Sequence, residues 1–265
     1  MKTFARRARR PLAWLVLLLC CAGGPALAET LTVTSTGDGG PGSLRQAMLD
    51  AMTSTQASTI VFAPAANGVI TLQSALPDLL GTGGALTITG NGPANTIING
   101  NDQYRPFKAE WQNDLHFTLR NLAVRNGFAD QGQGGAIFML GGNSSTRLTL
   151  EAVELVGNRS TYDGGAIYAS ISTSIEDCLF AGNNGGSFGG GIHIDGSALL
   201  ARNTTFADNV GGVIRITGSG NANDPVSRLV NVTATGDRAG DDAVLVVESG
   251  ARVSLSNSLI GGGIP

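Results

Sequence analysis

The chain has 265 residues, of which 39 are glycine, roughly twice the usual share of about 7%. A 42% hydrophobic content excludes a disordered chain, and the lack of a strict three-residue glycine period excludes collagen. Charged residues make up only 14% and the formal net charge is -3; glycine costs about 1 kcal/mol against alanine inside a helix, which leaves strands and tight turns as the main elements.

The first 28 residues read as a secretory signal. Lys2, Arg6, Arg7, Arg9 and Arg10 form a basic start, Leu12 to Leu19 an apolar stretch, and Ala26-Leu27-Ala28 a small-residue cleavage site before Glu29. The apolar stretch is too short to span a bilayer, which takes about 20 residues. Leu19 is bulky where a lipoprotein signal has a small residue before its cysteine, and the Arg9-Arg10 pair is weak support for twin-arginine export. Without this segment the chain carries 12 Lys+Arg against 20 Asp+Glu, a net charge of -8, and a single cysteine, Cys178. Nucleic acid is excluded as a partner because no basic cluster is present. One cysteine makes no internal disulfide, and Cys178 is expected to be a small buried hydrophobe.

From Glu29 the chain is expected to begin with short irregular strands at Leu31 to Val33, Ile60 to Phe62 and Val69 to Leu72. Between the first two, Ser43-Leu-Arg-Gln46 has the form of a capping box opening a helix to about Met52. Leu44, Ala47, Met48 and Ala51 share one face of that helix, which is expected to cover the first coil and its open strand edges.

From residue 86 onward a repeat of about 26 residues takes over. One column runs Asn95, Asn121, Ala152, Asp177, Asn203, Asn231, Asn257; a second, six residues on, runs Asn101, Gly127, Asn158, Asn183, Asn209, Asp237, Gly263. These residue types tolerate left-handed backbone angles and bond their own turns. A short β-branched or apolar strand precedes the first column in each repeat, and a third strand follows each glycine pair: Gly134-Gly135, Gly164-Gly165, Gly189-Gly190, Gly211-Gly212. Strands this short, recurring at coil length with turns of one class, specify a solenoid of parallel strands, with coils about 4.8 Å apart. An antiparallel sandwich would instead show turns every 8 to 12 residues without that register.

Alternation sorts the strand after each glycine pair. With Ile137, Ile167, Ile192, Ile214 and Val244 inside, Phe138, Tyr168, His193, Arg215 and Leu245 stack outside, and Leu140, Ser170, Asp195, Thr217 and Val247 form the next outward row. Tyr168, His193, Asp195 and Arg215 then share a face. That set could neutralise a carboxylate and abstract a proton, with Arg215 as the charge partner and His193 or Tyr168 as base or acid; a polar solvated sheet face is the simpler reading. Phe138, Tyr168, His193 and Arg215 equally suit binding of a sugar polymer or a protein. His116 is expected to be a partly buried polar residue at a strand start. Asp241-Asp242 reads as a solvated turn rather than a weak calcium site, and no cofactor or metal is expected.

The glycine blocks Gly134-Gly-Ala-Ile137 and Gly164-Gly-Ala-Ile167, with Phe180-Ala-Gly-Asn183 and Phe206-Ala-Asp-Asn209, are similar to polymorphic outer membrane protein repeats. Leu31-Thr-Val-Thr-Ser-Thr36, Pro41-Gly-Ser-Leu-Arg-Gln-Ala47 and Thr59-Ile-Val-Phe62 resemble the CSLREA domain. Gly42 stands here for that motif's cysteine and Gln46 for its glutamate. Together these segments make the chain resemble secreted bacterial right-handed parallel β-helix proteins of the pectate-lyase-like superfamily. The resemblance implies an all-β, right-handed parallel β-helix of about seven to nine coils with a short N-terminal capping helix: signal 1–28, cap and irregular coils 29–85, regular coils 86–265. It implies export to the periplasm, cell surface or medium, and little about activity, since one fold hosts many functions.

Enzymes of the group are poorly matched: Arg215-Ile216-Thr217 lacks the lysine of the polygalacturonase pattern, and no carboxylate cluster recurs on successive coils as in calcium-dependent lyases. The expectation is a non-catalytic module presenting a flat sheet face to a polysaccharide or a surface protein, in an adhesive or structural role. The alternative is a polysaccharide lyase or glycoside hydrolase acting on an acidic polysaccharide through Tyr168, His193, Asp195 and Arg215. No transmembrane segment is expected in the mature chain, and end-to-end self-association through the C-terminal coil would follow if that coil lacks a cap.

Overall fold

The computed structural model describes residues 28–261 other than 82–83, 187, 222–223 and 236–242. Residues 1–27 of the expected signal segment, Asp237, Asp241-Asp242 and Gly263 therefore lie outside the described residues. The chain is a β-solenoid of about eight turns, 48% strand and 6% helix, and every strand pairing is parallel. The long sheet has a main path of nine strands, from Glu29–Val33 through Ser58–Phe62, Ala85–Thr89, His116–Arg125 and Arg147–Val156 to Arg252–Ser256. A second sheet of six strands stacks Phe107–Gln112, Ile137–Gly141, Ile167–Ala169, Ile192–Asp195, Ile214–Thr217 and Leu245–Glu248.

The first residue column behaves as the sequence implies. Asn121, Ala152, Asp177, Asn203, Asn231 and Asn257 all adopt left-handed angles, with φ between 47° and 54°; Asn121 and Ala152 bend the chain inside the strands His116–Arg125 and Arg147–Val156, and the others turn it between two strands. Asn95 is the exception; it bonds its own turn, Nδ2 donating to the Asn91 carbonyl at 3.0 Å. The second column starts as expected, with Asn101 left-handed at φ 58°, and then departs from expectation. Asn158, Asn183 and Asn209 are not left-handed; they point into the coil and are fully buried. Asn183 Oδ1 accepts from the backbone N–H and Nδ2 of Asn158 at 2.9 and 3.0 Å, and Asn209 Oδ1 does the same for Asn183 at 3.0 and 3.0 Å. Their Nδ2 groups also donate to the carbonyls of Val124, Leu155 and Phe180. The buried side chains thus bond along the stack, because a closed coil bending inside its own core leaves backbone groups that only an internal amide can satisfy.

Above and below this ladder the core is apolar. Phe180 and Phe206 stack with centroids 4.7 Å apart, and Phe107 and Phe117 meet at 5.2 Å. The glycine pairs allow coils to approach closely: a Cβ on Gly135 would lie 2.4 Å from the Gly165 carbonyl oxygen, and one on Gly165 2.3 Å from that of Gly190.

The helix α1, Leu44–Thr53, buries Leu44, Ala47, Met48 and Ala51 against the first two strands. Ser43 caps it, its side chain accepting from the Gln46 N–H at 3.1 Å. Only half of the capping box forms, because the Gln46 amide turns forward to Asp50 at 2.8 Å. Gly42, at φ 78°, has no room for a side chain: a Cβ would clash with Thr34 Oγ1. At the other end Leu255 is half exposed, whereas its register partner Leu229 is fully buried.

Candidate functional site

The outward row of the second sheet forms as alternation requires. Phe138, Tyr168, His193 and Arg215 lie in register on successive strands, with Asp195 beside Thr217 two residues on. The last coil corrects the expected register by one residue: Val246, not Leu245, continues the row, and Glu248, not Val247, lies beside Thr217. That coil has no glycine pair to mark its strand start. Val244 accepts hydrogen bonds from Val213 and Ile214 and so occupies the position just before the strand.

The row is not a solvated face. Phe138, Tyr168 and His193 are 9%, 6% and 4% exposed. The residues preceding two of the glycine pairs lie against the row: Asp163 against His193 and Arg215, and Phe188 under the Arg215 guanidinium at 4.1 Å. Arg105, from the preceding coil, lies 4.9 Å over the Phe138 ring and donates to the Gln133 and Gly134 carbonyls at 2.7 Å each. Asp163, Phe188, Arg105 and Glu248 were missed by the sequence reading. The signal that marks two of them is position: Asp163 directly precedes Gly164-Gly165, and Phe188 directly precedes Gly189-Gly190.

Within the row every polar group meets another. Tyr168 stacks on Phe138 with centroids 5.6 Å apart and meets the His193 ring edge-on at 5.0 Å. Its hydroxyl donates to Asp195 Oδ2 at 2.8 Å. Burial and the Asp195 carboxylate both push the Tyr168 phenol well above its ordinary pKa. His193 Nε2 is 2.8 Å from Thr217 Oγ1; its Nδ1 lies 3.3 Å from Asp163 Oδ2, at ion-pair distance but without hydrogen-bond alignment. Arg215 donates to Glu248 Oε2 through Nε and an Nη at 3.0 and 2.7 Å, with Asp163 at 3.7 Å. Burial alone would raise the Asp163 pKa; the adjacent His193 ring, then the charge of Arg215, outweigh it and hold the carboxyl below its ordinary value.

The remaining candidates fall in place simply. Cys178 is buried and free, its thiol pushed up to about 11 by burial. His116 is half-buried at the start of its strand. Lys108 lies 3.3 Å from both Asp78 and Glu110. Among the described residues no group of three or more His, Cys, Asp or Glu side chains could hold a metal ion, and no helix is long and apolar enough to cross a membrane. Comparison with known proteins finds no family model and no curated protein that matches the chain.

Proposed function

We propose that this chain is an exported, non-catalytic β-helix that binds a polysaccharide or a surface protein on the outward faces of its parallel sheets, as a member of the pectate-lyase-like superfamily with a CSLREA-like N-terminal motif. The observation that carries the non-catalytic part is the closure of the Tyr168, His193, Asp195 and Arg215 cluster. Tyr168 is committed to Asp195 and Arg215 to Glu248, and the rings between them are nearly buried. A catalytic face must keep its base and its charge partner free to meet substrate. The binding part is supported by the fold: coils fixed in one register by an internal ladder hold outward side chains at a constant spacing, which suits a repeating polymer.

The second reading, a lyase or hydrolase, has one observation in its favour. Thr217, His193 and Asp163 stand in the order of a hydroxyl, a base and a carboxylate that orients it. Incubating the mature protein with alginate, pectate and glycosaminoglycans separates the readings. Binding by co-sedimentation without unsaturated ends or new reducing ends is the expected result. Product that disappears in His193→Ala and Arg215→Ala overturns it.

A further inference from the structure

The cations of this acidic chain are not distributed evenly between paired and unpaired states. Arg45 pairs with Asp38, Lys108 with Asp78 and Glu110, Arg120 with Glu151, Arg125 with Glu154, Arg159 with Asp102 and Arg215 with Glu248. Arg105 is held by two carbonyls and the Phe138 ring, and Arg252 donates to the Asp224 carbonyl. Arg147, Arg202 and Arg228 have no carboxylate within ion-pair distance among the described residues, and Arg147 makes only one long bond, 3.4 Å to the Ser145 carbonyl. All three are exposed.

These three arginines line one groove. It is a shallow trough of about 650 Å³ across the outer face of the long sheet, and no carboxylate lines it. Register explains why they converge. Thr149, Ser174, Leu200 and Arg228 form one outward row; Arg147 and Ser172 begin the row on one side, and Arg202 stands on the other. Arg147 and Arg202 are two coils and four strand positions apart, about 16 Å, and Arg202 and Arg228 one coil and two positions apart, about 8 Å. Between them the floor carries the hydroxyls of Thr149, Ser172 and Ser174 beside the apolar side chains of Ala198, Leu200 and Val226. Hydroxyls flanked by unpaired guanidinium groups match a chain that is itself rich in hydroxyls and carries an anion at intervals, and guanidinium is the fork best shaped for carboxylate or sulfate. No aromatic ring lines the groove, so it offers neither a base-stacking platform for nucleic acid nor the aromatic anchor of a protein hot spot.

We propose that this groove on the long sheet, on a different face from the Tyr168 cluster, is a binding site for an anionic polysaccharide bearing carboxylate or sulfate groups. The proposal rests on the binding reading given above and names its site and ligand class. The test measures binding of the full mature chain to a polyuronate, a sulfated glucan and a neutral glucan of equal length, beside a variant with Arg147→Gln, Arg202→Gln and Arg228→Gln together. Both anionic polymers are expected to bind and the neutral one not. The triple variant should lose about 10- to 100-fold, each exposed cation-anion contact being worth a factor of about two to five, and its logarithmic salt slope should fall by about 3. Arg120→Gln, on the same sheet but already paired, should bind as the unmodified protein does, and circular dichroism should show all variants folded. Equal binding of neutral polymer, or a folded triple variant with unchanged affinity, overturns the groove while leaving a binding module standing. Binding to no polymer overturns both, and salt-sensitive binding to DNA alone overturns the ligand class.

Discussion

The same residue type, at the same period, does two different jobs on the two sides of the coil wall. Asn158, Asn183 and Asn209 run inside, fully buried, each amide serving the preceding coil's backbone. Asn203, Asn231 and Asn257 run outside and exposed, with Nδ2 to Oδ1 contacts of 3.1, 2.9 and 2.6 Å down to Asp177. Distance alone does not distinguish the ladders. Their surroundings do: an amide lost inside leaves buried groups with no water to replace it, whereas one lost outside is replaced by solvent. The outer column is held for its φ, the inner one for its hydrogen bonds.

The largest effect should come from breaking the inner ladder. Asn183→Leu removes the acceptor of the Asn158 N–H and the donor to the Leu155 carbonyl, and leaves Asn209 Oδ1 with only the backbone N–H of its two donors. With about 1 to 3 kcal/mol for each stranded buried group, a loss of about 3 to 5 kcal/mol is expected in urea unfolding; a loss below about 1 kcal/mol would mean the ladder is not what fixes the register. On the outside, Asn203→Leu should cost about 1 to 2 kcal/mol, the usual cost of a left-handed angle for a residue with a bulky side chain. Asn203→Gly should be nearly neutral. If the glycine variant falls as far as the leucine variant, the outer hydrogen bonds matter after all and the contrast fails.

A comparable expectation holds for the closed cluster on the second sheet. Asp163→Asn keeps the shape but removes the charge facing His193 and Arg215, and should cost about 1 to 3 kcal/mol at neutral pH. Because the folded carboxyl is held below its ordinary pKa, its contribution is complete above the unfolded value of about 3.9 and is lost as pH falls through the folded one. The gap between wild type and variant should therefore close below about pH 4, in denaturant titrations repeated from pH 7 to pH 3. A gap that persists at pH 3 would mean that the lost stability comes from packing rather than charge.

How far the sequence could be read follows from these same residues. Left-handed turns are legible because few residue types tolerate them, and the outer column was found on that ground, even with alanine at position 152. The buried ladder used the same residue types for a different purpose, so composition placed Asn158, Asn183 and Asn209 at the right period but with the wrong role. Period-2 alternation brought Tyr168, His193, Asp195 and Arg215 to one face correctly, and slipped by one only where the glycine marker was missing, which hid Glu248 behind Val247. What could not be read was the cover on that face. Asp163 and Phe188 reach it through turns, and a turn's direction is set by three-dimensional closure rather than by local pattern. The groove arginines were hidden for a related reason: what faces Arg147, Arg202 or Arg228 depends on register between coils 25 to 30 residues apart, and Arg202, whose register partner is Glu176, forms no ion pair with it.

The smallest expected effect lies where the two sides of the wall meet. Cys178 directly follows left-handed Asp177, yet it points inward and is buried. Its counterparts on other coils are Leu122, Val153, Thr204, Val232 and Ser258, a mixture of apolar and small polar side chains. The polar ones share a habit: Thr204 Oγ1 donates to the carbonyl of Arg202 at 2.8 Å and Ser258 Oγ to that of Ser256 at 2.9 Å, just as Cys178 Sγ reaches Glu176 at 3.1 Å. The position therefore accepts either a methyl group against the core or a hydroxyl turned back on its own strand, and neither choice strands a partner. Cys178→Val and Cys178→Thr should each lie within about 0.5 to 1 kcal/mol of the original, since the volume change is small and no buried group loses its only bond. With the thiol near 11, a maleimide should not label the folded chain at neutral pH, and labelling in mild denaturant should follow global unfolding. Rapid labelling of the folded chain would show that this stretch of wall opens by itself, and that the turn at Asp177 is less firmly tied than its neighbours on the outer column.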